Sequence, residues 1–69
     1  MKNNYEITIN HGNVKDTFVV SDYEKNKFIR QLNNNSGIFI GFLDIDNIQY
    51  HFMKREVYWT RVKEIRKEF

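Results

Sequence analysis

Three observations predict a small α+β domain, with one helix packed on a mainly antiparallel sheet of four to five strands in the order β-β-α-β-β-β. Residues 5–10 alternate apolar and polar, residues 21–24 carry a helix-start signal, and residues 37–53 read as two strands joined by a short polar turn. The 69 residues make one domain, 1–69. At this size folding removes only about 60% of the extended chain's surface from water. Six Phe, four Tyr and one Trp must therefore carry much of the burial, at about 1.5 to 3 kcal/mol for each large side chain taken fully out of water.

Tyr5, Ile7 and Ile9 alternate with Glu6, Thr8 and Asn10, the pattern of a strand with one wet face. His11-Gly12-Asn13 breaks the pattern, and because Gly and Asn both accept positive φ, a tight hairpin can return the chain into Val14 to Val20. There Phe18 and Val20 share one face, and Thr17 and Val19 the other. Ser21-Asp22-Tyr23-Glu24 is a capping box, with Ser21 placed to accept from the Glu24 amide, Glu24 to reach back, and Asp22 at the positive end of the helix dipole. Phe28, Ile29 and Leu32 form the apolar stripe of the helix, flanked by the aliphatic stem of Lys25. Asn33-Asn34-Asn35-Ser36-Gly37 then stops it with residues suited to left-handed caps.

In the next strand Ile38, Phe39, Ile40, Phe42 and Leu43 are apolar on both faces, which predicts burial on both sides and a place at the centre of the sheet. After the turn Asp44-Ile45-Asp46-Asn47, the residues Ile48, Tyr50 and Phe52 look inward and Gln49, His51 and Met53 outward. Beyond Met53 propensity and periodicity disagree. Val57-Tyr58-Trp59-Thr60 has strong β propensity, with Lys54-Arg55-Glu56 as a turn. Yet Tyr58, Val62, Ile65 and Phe69 would also form a helical stripe at spacings of four, three and four. The expectation is a strand over about residues 57–62, followed by a short C-terminal helix or a frayed tail.

With no cysteine there is no disulfide framework and no thiolate zinc site. No run approaches the 18 or so apolar residues of a membrane span, and the polar start Met1-Lys2-Asn3-Asn4 has no signal-peptide core after it. The expectation is a cytoplasmic protein that meets no membrane. The net charge of +2 is unevenly placed: residues 1–53 carry five Lys or Arg against six Asp or Glu, whereas residues 54–69 carry six against three. Nine Asn and eight Ile, with no Ala or Pro, match the bias of an AT-rich genome such as that of a low-GC bacterium or its phage.

The residues fill no catalytic or metal pattern. Asp44-Ile45-Asp46 has the spacing of the first two ligands of a calcium loop, but the central Gly position holds Gln49 and the closing Glu position holds Arg55. His11 and His51 have no metal-ligand spacing. Ser21 is taken by the helix cap, Ser36 lies among asparagines, and no glycine loop could cradle phosphate. The chain is expected to be a non-enzyme without cofactor or metal that works by binding another macromolecule. The first expectation is a protein partner, held through Tyr23, Lys27 and Arg30 on the outer face of the helix, since Tyr and Arg are enriched at interface hot spots. Composition suggests a phage or mobile-element accessory or inhibitor acting on a bacterial host protein. The alternative is nucleic-acid binding through the basic segment 54–67, with Lys54, Arg55, Arg61 and Lys63 for phosphates and Tyr58 and Trp59 for stacking. An unpaired edge strand would also allow a homodimer.

Overall fold

The computed structural model describes residues 3–65. Its elements are β1 (Asn4–His11), β2 (Val14–Val20), α1 (Asp22–Asn33), β3 (Phe39–Leu43), β4 (Gln49–Met53), a single 3-10 turn (Lys54–Glu56) and β5 (Val57–Ile65). All strand pairs are antiparallel, and the element order is the one the sequence predicts. The strands divide between a three-stranded sheet ordered β2-β1-β5 and the two-stranded hairpin β3-β4.

The centre of the larger sheet is therefore β1, not the strand that begins at Ile38. Pairing with β2 on one side and β5 on the other buries Thr8 on the polar face as well as Ile7 and Ile9 on the apolar one. Thr8 is covered by its cross-strand neighbours Thr17 and Arg61, and its hydroxyl lies 3.3 Å from that of Thr17. In β3 only Ile40, Gly41 and Phe42 are buried, while Ile38 and Phe39 remain 66% and 57% exposed. A strand in a two-stranded unit has no second layer on its outer face, so an apolar run there does not imply burial on both sides.

The β1-β2 hairpin has the two-residue loop Gly12-Asn13, with Gly12 at φ 68° and Asn13 outside the positive region. This is the type II′ arrangement, which matches the strand twist and needs glycine first. The β3-β4 turn is organised by Asp44, whose Oδ1 accepts from the amides of Asp46 and Ile48 at 2.9 and 3.0 Å while Asn47 takes positive φ. Its Oδ2 accepts from the Tyr50 hydroxyl at 3.2 Å. Both carboxylate oxygens hold the turn, as the hairpin reading requires.

Ser21 caps α1, accepting from the Glu24 amide at 3.3 Å. The reciprocal half of the predicted capping box is not formed: the Glu24 carboxylate instead accepts from the Leu43 amide at 3.0 Å. The helix ends on Asn34 in extended backbone (φ −87°), so no left-handed cap is used. Its carbonyl accepts from the Lys54 ammonium.

The core lies between the apolar face of the larger sheet, the helix and the inner face of the hairpin. Ile7, Ile9, Val20, Phe28, Ile40 and Phe42 are fully buried. Phe18, Tyr50, Phe52, Ile29, Leu32, Tyr5 and Val57 close around them. Phe42 is the hub, meeting Phe28 and Phe18 edge-on with ring centroids 5.6 and 5.2 Å apart. Such contacts add about 0.5 to 1.5 kcal/mol each to the burial of the rings. Lys25 covers the rim, its ammonium 4.4 Å from the centre of the Tyr5 ring.

At the C-terminal end the strand reading prevails over the helical stripe, because eight residues of β5 pair with β1. The strand continues to Ile65, past the expected end near residue 62. The helix or tail expected after about residue 62 is strand over 63–65, and the rest of it, residues 66–69, lies outside the described residues. No helix among the described residues is long and apolar enough to cross a membrane.

Candidate interaction surface

Two surfaces carry the residues singled out in the sequence. The first is the outer face of α1, where positions 23, 27 and 30 fall on one side of the helix. Tyr23 is 67% exposed and Arg30 is exposed. Lys27 is half-buried beside them, its ammonium 3.7 Å from the Glu24 carboxylate. That bridge restrains Lys27 and leaves Tyr23 and Arg30 as the free groups of this face.

The second surface is the polar face of the β2-β1-β5 sheet. Side chains alternate across a strand, so the pairing sets them in rows. Lys15, Asn10 and Trp59 form one row, Thr17, Thr8 and Arg61 the next, and Val19, Glu6 and Lys63 the third. Helix and hairpin both pack on the opposite face. Three cations and one carboxylate thus share an open sheet face with Trp59, which is 45% exposed and not part of the core. Lys15 was missed in the sequence because only the β1-β2 register brings it into line with Trp59. The remaining members of the predicted basic set lie elsewhere. Lys54 is engaged by the Asn34 carbonyl and Arg55 sits on the 3-10 turn. Tyr58 is the extra residue of a bulge opposite Asn10 and His11, 68% exposed on the other side of β5.

Bulged strands re-aim side chains, and here Tyr58 lines a shallow cleft of about 260 Å³ with His11, Gly12 and Glu56. Beside it His11 Nε2 lies 2.8 Å from Asp16 Oδ2, among the described residues the one contact that resembles an acid-base pair. Neither serine completes it among the described residues: Ser21 caps the helix, and Ser36 is bonded to the Asn34 side chain. His51 sits apart from His11, its ring over Gly41, where an added Cβ would come within 2.9 Å of it. Among the described residues no cluster of three His, Asp or Glu side chains could hold a metal ion. The Tyr50 phenol is raised above its ordinary value by burial, by its hydrogen bond to Asp44, and by the carboxylates of Asp44, Asp46 and Asp16. That shift belongs to the turn, not to a reaction centre.

Comparison with family models, with curated proteins and with solved structures finds no match.

Proposed function

We propose that this chain is a non-enzymatic protein that works by binding another protein, through the outer face of α1. The supporting observation is that large apolar side chains remain exposed around a core that is already closed: Tyr23 on the helix, and Ile38, Phe39, Ile45 and Ile48 on the hairpin. On the helix face itself, an exposed Tyr23 and an exposed Arg30 are the residue types enriched at interface hot spots. The Asn- and Ile-rich composition without Ala or Pro fits an accessory or inhibitory factor of phage or mobile-element type acting on a bacterial host protein. The test is capture from lysate of a low-GC Gram-positive host, with nuclease present, by the wild type and by the Tyr23→Ala/Arg30→Ala variant. A host protein held by the wild type and lost by the folded variant is the expected result. Equal capture by both excludes the helix face.

A second reading, nucleic-acid binding, is favoured by one observation: Lys15, Trp59, Arg61 and Lys63 share an open sheet face. Cations that track phosphates beside an aromatic stacking platform are what single strands bind. In the same lysate experiment this reading expects nucleic acid to be recovered without nuclease and lost with it.

A further inference from the structure

We propose that β5 pairs antiparallel with β5 of a second copy of this chain, centred on Thr60, so that two three-stranded sheets become one sheet of six. This stands apart from the helix-face reading, because Tyr23 and Arg30 lie on α1 and take no part in it.

Strand β5 is nine residues long and ends its sheet, and among the described residues no backbone bond reaches its outer edge. The hairpin determines which groups face outward there. A two-residue loop makes His11 and Val14 a hydrogen-bonded pair, and bonding then alternates along β1. Ile9 and Ile7 bond towards β2, whereas Asn10, Thr8 and Glu6 bond towards β5. Their partners Trp59, Arg61 and Lys63 therefore direct their backbone groups at β1. The amides and carbonyls of Thr60 and Val62 face away from the sheet, free to take a new strand.

Symmetry and charge then select the register. Two antiparallel copies are related by a two-fold axis normal to the sheet, and paired side chains must lie on the same face, so the axis lies midway between a residue and its own copy. Centring on Arg61 sets two arginines face to face. Centring on Val62 sets Arg61 against Lys63 twice, and centring on Lys63 opposes two lysines. Like charges directly opposite one another are destabilising. Centring on Trp59 leaves only residues 57–61 to pair before the strand gives way to the 3-10 turn at Glu56. Centring on Thr60 pairs all of residues 57–63 with no like charges opposite one another inside the strand, and Glu56 would meet Glu64 only beyond the start of β5. The outward backbone groups of Thr60 meet those of its own copy, and regular pairing runs from there to the bulge at Tyr58. Trp59 faces Arg61 in the non-hydrogen-bonded pair, where side chains approach most closely and a guanidinium can lie on the indole. The same cations that oppose other registers guard this edge against unspecific strand addition.

The test is sedimentation equilibrium of the full chain over a wide concentration range, joined to one cysteine variant and two charge variants. The wild type is expected to reach the dimer mass. The chain has no cysteine of its own, and a central hydrogen-bonded pair sets the two Cα atoms about 5.5 Å apart, within disulfide range. Thr60→Cys should therefore give a covalent dimer on mild oxidation, whereas Lys63→Cys should not. Trp59→Lys places like charges opposite each other twice and should weaken the dimer about tenfold or more, and adding Arg61→Glu should restore it. A wild type that stays monomeric throughout overturns the proposal. So does a folded Thr60→Cys that fails to cross-link, or a Trp59→Lys variant that dimerises as the wild type does.

Discussion

Among the described residues, strands β3 and β5 each have a side that no other strand pairs, and the two edges are treated differently. Along β3 the helix supplies the missing partners: the Gln31 side chain donates to the Gly41 carbonyl at 2.7 Å and accepts from the Gly41 amide at 3.0 Å. The Glu24 carboxylate accepts from the Leu43 amide. The outer edge of β2 is met as well, since the Ile45 amide of the hairpin turn donates to the Val19 carbonyl at 3.0 Å. Along β5 nothing of this kind is present among the described residues. The difference follows from depth. Gly41 is buried against the helix, where an unpaired amide or carbonyl costs about 1 to 3 kcal/mol. The edge of β5 faces water, which solvates the same groups without penalty. Side-chain clamps occur where the fold needs them for stability, and the unclamped edge is where addition of a strand costs least.

The sharpest way to break that comparison is to remove the clamp. Gln31→Ala leaves both backbone groups of Gly41 without partners in a buried position and should lower unfolding stability by about 2 to 3 kcal/mol, read from the urea midpoint. Exchange of the Gly41 amide should accelerate in the same variant. If stability barely changes, water reaches β3 as readily as β5 and the contrast fails. Glu24→Ala is expected to cost less, about 1.5 kcal/mol, because one charge-assisted bond is lost together with a long, partly exposed bridge to Lys27, and the Ser21 cap survives. Glu24→Gln, which keeps an acceptor for the Leu43 amide, should recover part of that loss.

These clamps were not legible in the sequence, and the reason is physical. Ser21 and Glu24 have the spacing of a reciprocal cap, a local pattern, but the partner that Glu24 takes lies 19 residues away. Only the packed fold brings the Leu43 amide to it. The β1-β2 hairpin, the helix and the Asp44 turn were readable because each is fixed by residues within a few positions of one another. The place of β5 beside β1 joins the two ends of the chain, and no local signal encodes that choice. Hence the density of apolar residues points to Ile38–Leu43 as the centre of the sheet, although β1 holds it. Of the candidate surfaces, the sequence groups Trp59, Arg61 and Lys63 with Lys54, Arg55 and Tyr58, and only the strand pairing separates them by face. Their alignment with Lys15 depended on two registers at once.

The turn that meets β2 gives the smallest effect and the most selective one. Tyr50→Phe removes the hydroxyl that holds Asp44 Oδ2 but leaves the Oδ1 bonds to Asp46 and Ile48. The urea midpoint at neutral pH should therefore fall only slightly. The pH dependence carries the sign. The folded state raises the Tyr50 phenol, chiefly through burial and the Asp44 contact, so it holds that proton more tightly than the unfolded chain does. The resulting stability is fully present below the ordinary tyrosine value of about 10 and is lost as pH rises through the folded value. Subtracting the Tyr50→Phe profile from that of the wild type cancels the other tyrosines. The difference should be constant from neutral pH upward and shrink in the alkaline range. A difference that instead grows with pH would mean that the phenol ionises more easily in the folded chain, and that Asp44 does not hold the turn through Tyr50.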